Sequence, residues 1–381
     1  MKVGIITHWS CYENYGQQLQ AFAFQRVLKR LGHEPFLIRY HPCSLYGDKM
    51  TFSRIVNKLL HPLDFIRSIT NRVNGTSKRA ALRREEMRIM RDFDGFRVKY
   101  IESTKQVYHS YSEINSSSEI VADMYSVGSD IIWGMLPFND DGKVFFLDFG
   151  PKEARRISYA ASFGGSTVTT EYMRFASPLL KKMDFVSVRE KSGIALCSEM
   201  GRGDATYVVD PVFLLNKPEW VKEFSVPKDR DGVFAYLLRM RPAFPLDECI
   251  ALSRKLGNKI EITTVYDDMG LPKSLIVNPT IPKWVQKVGS ARLVVTNSFH
   301  AISLSIILHT PFVAILKHGG EGMDDRVVSL LDSLELTNRI YRADNSMQQI
   351  YDAQIDWANV DSKLASLVRP SCEYLRKCGL C

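Results

Sequence analysis

The sequence predicts an α/β protein of two Rossmann-like, doubly wound parallel-sheet lobes facing each other across a cleft. Three observations predict it. At 381 residues the chain exceeds the roughly 250–300 residues at which a single core stops growing. Short apolar runs alternate with segments of helical period, the mark of βαβ units. The alternation pauses at a polar, proline-bearing stretch, 216–220, and restarts at Gly232.

In order, 3–7 reads as the first strand, followed by a loop through Asn14-Tyr15-Gly16 and a helix over 17–31. Leu19, Phe22, Ala23 and Val27 recur at helical spacing, Gly32 supplies the stop, and 35–40 returns as a parallel strand. Runs at 120–127, 144–147, 157–161 and 185–188 read as further strands of the same sheet. Residues 208–215 lead into Asn216-Lys217-Pro218-Glu219-Trp220, read as the crossing between lobes. The second series reads strand 232–238, helix to Gly257, strand 259–264, helix 282–289, strand 293–296, helix 299–308 and strand 312–316. The expected lobes are therefore 1–215, with a basic helical insertion at about 50–100, and 216–345; a helical tail, 346–381, packs back on the first. Two such lobes make a GT-B-like architecture, with ligands at the carboxyl ends of the strands.

Composition, 45% hydrophobic and 24% charged, is that of a globular protein. Met1 to His8 lacks the apolar core of a signal peptide, and no run reaches the roughly 18 apolar residues of a membrane span. The expected location is the cytoplasm. Seven scattered cysteines suit a reducing compartment. Cys372, Cys378 and Cys381 are one ligand short of a zinc or iron–sulfur site, so no metal is assigned and a frayed terminus with free thiols is expected.

Of the net charge of +8, an excess of seven lies between Arg54 and Lys99. There Phe52, Val56, Leu59, Leu63 and Ile66 recur at helical spacing, interrupted by Pro62. The pattern fits a helix on an anionic membrane, giving peripheral contact through about 52–99, and equally a helix pair packed on its own lobe with a solvated basic face. No nucleic-acid signature accompanies the charge, so no nucleic-acid partner is expected. There is no G-x-x-x-x-G-K-[ST] loop, G-x-G-x-x-G fingerprint, G-x-S-x-G elbow or H-E-x-x-H helix, which removes the usual support for ATPase, dehydrogenase, serine hydrolase and metalloprotease chemistry.

Chemistry is best placed at strand-to-helix junctions. Val294-Val295-Thr296-Asn297-Ser298-Phe299-His300 is a buried strand turning directly into a helix, which sets His300 among unpaired backbone N–H groups, an anion site where an imidazole could donate a proton. Phe185 to Gly193 repeats the pattern, with Arg189 at the strand end, suited to a carboxylate or phosphate or to pairing with Glu190 or Asp210. Gly128-Ser129-Asp130 with Trp133, and Asn14-Tyr15-Gly16-Gln17, could present polar groups and a ring to a sugar. His8, Asp148 and Lys317 are weaker single candidates, read as structural.

Taken in order, these segments resemble the polysaccharide pyruvyl transferase family. The likeness rests on Asn14-Tyr15-Gly16 with Leu19-Gln20-Ala21, Gly128-Ser129-Asp130-Ile131-Ile132-Trp133, Ser158-Tyr159-Ala160-Ala161-Ser162-Phe163-Gly164, Ser187-Val188-Arg189-Glu190-Lys191-Ser192-Gly193, Asp210-Pro211, Thr296-Asn297-Ser298-Phe299-His300 and Pro311-Phe312-Val313. The resemblance implies a GT-B fold, phosphoenolpyruvate as donor with no cofactor, and a hexose of an exopolysaccharide or cell-wall precursor as acceptor, lipid-linked or not. It implies a catalytic His300 and an Arg189 that holds the donor's acidic groups. Ser298 and Phe299 belong to the donor side; Asn14, Gly16, Gln17, Ser129, Asp130 and Trp133 belong to the acceptor side. Many members carry Arg where this chain has Ser298, and a hydroxyl cannot make the bidentate contact; Lys317, Arg326 or the helix N-terminus is left to supply it. Two other readings share the pattern: a GT-B glycosyltransferase using a nucleotide sugar, and a non-catalytic membrane-surface partner in polysaccharide assembly.

Overall fold

The computed structural model describes residues 1–46, 76–238, 244–265, 270–316 and 325–381. Lys317 and residues 52–75 of the basic insertion lie outside them.

In the first sheet β1 (Lys2–Ile6) runs between β2 (Glu34–Leu37) and β3 (Met124–Val127), with Gly4 opposite both Phe36 and Tyr125. β4 (Arg155–Ser158) pairs outside β3, giving the parallel order β2-β1-β3-β4. Bridges Ile157–Phe185 and Ala161–Val188 carry it on to a short parallel pair, β5 (Ser187–Val188) and β6 (Thr206–Tyr207). The second sheet contains β7 (Val233–Leu237), β8 (Ile260–Thr264), β9 (Leu293–Thr296), β10 (Phe312–Ile315) and β11 (Ile340–Tyr341) in the parallel order β11-β10-β9-β7-β8. Every residue of β7, β9 and β10 is buried, which is why these strands read as unbroken apolar runs rather than alternating ones. This is the two-lobed, GT-B-like α/β architecture.

α1 (Tyr15–Arg30) is buried on almost every side, because it lies between the first sheet and the second lobe. Leu19 and Phe22 share one continuous core with Trp220, Trp284 and Ile302 across the seam. α2 (Thr76–Arg91) and α3 (Phe93–Tyr100) form the described part of the basic insertion. Its inner end is anchored rather than solvated: buried Arg91 donates through Nη2 to the Thr264 carbonyl (2.7 Å) and to Asn278 Oδ1 (2.8 Å), and Arg97 Nη1 donates to the Trp9 carbonyl (3.0 Å).

Three expectations are corrected. Residues 144–147 are no strand; Val144–Phe146 is a 3-10 turn followed by Leu147 at φ 61, buried as deeply as a strand, so aromatic content misled where burial alone was meant. The crossing at 216–220 is the start of a helix, α4 (Lys217–Phe224): Asn216 and Glu219 form a capping box, Pro218 occupies the first turn and Trp220 is fully buried. The second lobe adds α5 (Ile281–Ser290), α6 (Phe299–Ile307) and α7 (Asp325–Ser333). The terminus is not frayed, since α8 (Trp357–Lys377) docks against the first sheet. There Ser371 Oγ accepts from the Val209 amide (2.9 Å), Tyr374 OH donates to the Ser158 carbonyl (2.7 Å) and Arg155 reaches the Cys378 carbonyl (3.1 Å). Cys378 is buried; Cys372 and Cys381 are exposed. No described helix is long and apolar enough to cross a membrane.

Candidate active site

Each sheet begins with a strand flanked on both sides, β1 by β2 and β3, β7 by β8 and β9. The chain leaves such a pair in opposite directions, which opens a crevice at the carboxyl ends. At the first switch point stand Thr7 and His8 after β1 and Gly128-Ser129-Asp130 after β3; at the second stand Leu238 after β7 and Asn297 to His300 after β9.

Local chemistry fixes the second junction. Asn297 stitches the ends of β7 and β9, accepting from the Leu238 amide and donating to its carbonyl, both at 2.7 Å. Ser298 is the N-cap of α6, its hydroxyl accepting from the Ala301 amide (3.4 Å), and it is buried. Ser298 thus has a capping role here. It delivers Phe299 and His300 into the first turn of α6.

The two lobes meet at Asp210, which follows β6. Its Oδ2 accepts from Arg189 Nη1 (2.7 Å) and from Ser129 Oγ (2.8 Å), and it lies 3.4 Å from His300 Nε2. Its Oδ1 accepts from the Val212 amide (3.1 Å). Arg189 is 4% exposed and His300 5%, so both are held by protein rather than by water. Burial alone would raise the Asp210 carboxyl, but His300 and Arg189 outweigh it and hold it far below the usual carboxylate range. Asp130, at φ 78, accepts from Gln17 Nε2 (3.0 Å) and lies 3.8 Å from Arg189. Burial pushes it up as well, and Arg189, His8, His300 and Arg326 bring it down to about 2.

Two guanidiniums approach the Phe299 ring, Arg189 at 5.1 Å and Arg326 of α7 at 5.8 Å from its centroid. Burial, and then repulsion from Arg189, lowers Arg326 to about 10, against attraction from Asp130, Glu190 and Asp210. Both guanidiniums line a narrow crevice with Glu190, Tyr207 and Ser329. Around the junction several polar atoms are buried without a hydrogen-bond partner among the described residues: Arg189 Nε and Nη2 and Glu190 Oε2 in the crevice, and His300 Nε2, Asn14 Oδ1 and Gln17 Oε1 outside its lining. Unsatisfied cationic donors beside an imidazole are what a small anion with an acidic proton requirement would complete.

Of the residues singled out in the sequence, the fold brings Asn14, Gly16, Gln17, Ser129, Asp130, Arg189, Ser298, Phe299, His300 and Arg326 to this junction. Trp133 does not join them. It is fully buried, stacked on Phe146 at 5.4 Å, and its indole N–H donates to the Phe145 carbonyl, which leaves no ring face for a sugar. Asp148 pairs with Lys182 (2.9 Å), away from the cleft, and His8 Nε2 contacts the Ile131 carbonyl (3.1 Å). The residue sequence reasoning undervalued is Asp210, noticed as one partner for Arg189 and, with Pro211, as one segment of the family likeness, but given no role; an acid followed by proline at the end of a buried run, Val208-Val209-Asp210-Pro211, was the available signal. No group of three or more metal-ligating side chains occurs among the described residues.

Among solved structures, the chain is similar to the glycotransferase of kitacinnamycin (11% identity, 98% of this chain and 95% of that one, TM-score 0.42). It is also similar to a putative UDP-N-acetylglucosamine 2-epimerase from Listeria monocytogenes (10%, 97% and 91%, TM-score 0.47). No curated protein matches it in a sequence search. A family model, polysaccharide pyruvyl transferase, matches residues 14–317, a span that includes the Asn14 turn, Asp130, Arg189, Asp210 and His300. The chain belongs to the polysaccharide pyruvyl transferase family.

Proposed function

We propose that the protein transfers the pyruvyl group of phosphoenolpyruvate to two hydroxyls of a hexose in a polysaccharide or its precursor, releasing phosphate. The observation that carries this reading is the junction at Asp210, where an imidazole from one lobe and a guanidinium from the other share a single carboxylate oxygen. Arg189 and Arg326, both beside the Phe299 ring, hold the donor's phosphate and carboxylate. His300 Nε2 delivers a proton to the donor's methylene carbon, and the carbon bearing the phosphate oxygen gains oxocarbenium character. A sugar hydroxyl bonds to that carbon and loses its proton. The C–O bond to phosphate then breaks, phosphate leaves with the electron pair, and the second hydroxyl closes the ketal, losing its own proton. Asp210 supplies the negative charge that an imidazolium needs beside it in a buried site. The amide oxygens of Asn14 and Gln17 and the Asp130 carboxylate take the acceptor's hydroxyls.

The same reading places the protein at a membrane surface. α2 exposes Leu82 (57%), Ile89 (70%) and Met90 (57%) beside the exposed Arg83 and Arg88, a combination suited to an anionic bilayer where a lipid-linked acceptor is presented. The deciding experiment incubates the protein with phosphoenolpyruvate and a lipid-linked oligosaccharide fraction and measures inorganic phosphate. Acceptor-dependent release is expected; release absent with every glycan fraction, together with thermal stabilisation by UDP-, GDP- or CMP-sugars and none by phosphoenolpyruvate, would overturn the assignment.

A further inference from the structure

A β-carbon built on Gly16 would lie 2.1 Å from His300 Nδ1, 2.3 Å from its Cγ and 2.6 Å from its Cβ. Gly16 stands in the first turn of α1, and its backbone is not in the left-handed region. Alanine is the better helix former at such a place, so nothing in the local conformation asks for glycine. What asks for it is the imidazole of the opposite lobe. The ring is held between two jaws, the α1 backbone at Gly16 on its Nδ1 side and Asp210 at 3.4 Å on its Nε2 side. Both jaws belong to the first-sheet side, while His300 rides on α6 of the second lobe. The seat itself is pinned one residue earlier: Tyr15 stacks on Trp284 of the second lobe at 5.1 Å, and its hydroxyl donates to the Pro279 carbonyl (2.6 Å).

We infer that Gly16 is a positioning residue for His300, so that the orientation of the proton donor is set across the seam by the lobe that does not carry it. The inference deepens the pyruvyl-transfer reading and rests on it for its kinetic half. The contact itself can be tested without turnover.

The test is a cycle of Gly16→Ala, His300→Gly and the double variant, followed by thermal unfolding, phosphoenolpyruvate binding by calorimetry and acceptor-dependent phosphate release. In the wild-type background Gly16→Ala should lower the melting temperature by several degrees. In the His300→Gly background, which removes the Cβ at 2.6 Å together with the ring, the same methyl enters the space left by the side chain, and melting should stay level or rise. Turnover should fall about 100-fold, as displacement of a reacting group by about an ångström does. The dissociation constant for phosphoenolpyruvate should stay within about threefold, because Arg189 and Arg326 are untouched. Equal destabilisation in both backgrounds overturns the contact, as does wild-type turnover in Gly16→Ala. If the wild-type protein releases no phosphate, the pyruvyl reading fails while the stability cycle still decides the seam. If Gly16→Ala alone does not fold, recovery of the folded state in the double variant supports the inference, and failure in both refutes it.

Discussion

Asp210→Asn keeps the shape of the side chain and removes its charge. The carboxylate accepts on both oxygens, from Arg189 and Ser129 on one and from the Val212 amide on the other. An amide has one acceptor oxygen, so whichever way it turns, either Arg189 or the Val212 N–H faces an NH2 group. Arg189 would keep Asp130, at 3.8 Å, and the adjacent Glu190 as its remaining counter-charges. Breaking a buried pair by neutralising one partner costs about 3–5 kcal/mol, and at about 2–4 °C per kcal/mol for a lobe of this size the melting temperature should drop by roughly 6–20 °C. The pH dependence follows from the sign of the shift. Asp210 is depressed in the folded state, so its contribution is complete above the unfolded value near about 4 and fades as pH falls through the folded one. Differential scanning fluorimetry of wild type and variant should therefore show the full gap at pH 7 and at pH 5, narrowing only under stronger acid. A variant melting within about 2 °C of wild type at pH 7 would refute the claim that this carboxylate holds the junction together.

His300→Ala should abolish acceptor-dependent phosphate release while leaving the near-ultraviolet circular dichroism unchanged; near-normal release would remove the imidazole from the mechanism. Arg326→Ala deletes a charge-assisted contact worth about 1.5–3 kcal/mol, so calorimetric affinity for phosphoenolpyruvate should weaken by about 10–100-fold, and unchanged affinity would remove Arg326 from the donor site. Asp130, moved from 3.8 to about 2, contributes about 2 kcal/mol at neutral pH that is lost as pH falls from about 4 towards 2. Asp130→Asn should accordingly flatten that stretch of the acid-unfolding curve, and an unchanged acid limb would show the carboxylate to be unshifted.

How much of this was legible in the sequence depended on whether the cause was local. The strands of the second lobe were readable because burial on both faces leaves apolar runs, Leu293–Thr296 and Phe312–Ile315, that polar neighbours delimit sharply. His300 and Arg189 were readable because each follows such a run at a helix start. Trp133 was misjudged because a tryptophan beside Gly134 looks the same whether its ring faces a ligand or Phe146; the sequence does not show what stands opposite it. The helix at Lys217–Phe224 was passed over although its capping box was in view, since proline weighed as a breaker where it served as a starter. Gly16 is the sharpest case. A glycine in Asn14-Tyr15-Gly16 suggests turn geometry, yet its backbone is ordinary and its reason lies 284 positions away in the ring of His300. Asp210 obeys the same logic, facing the imidazole of His300 in the other lobe 90 positions on. Residues that must agree across a seam leave no periodic trace in their own segment. Only the fold, by bringing two switch points face to face, shows what each stands against.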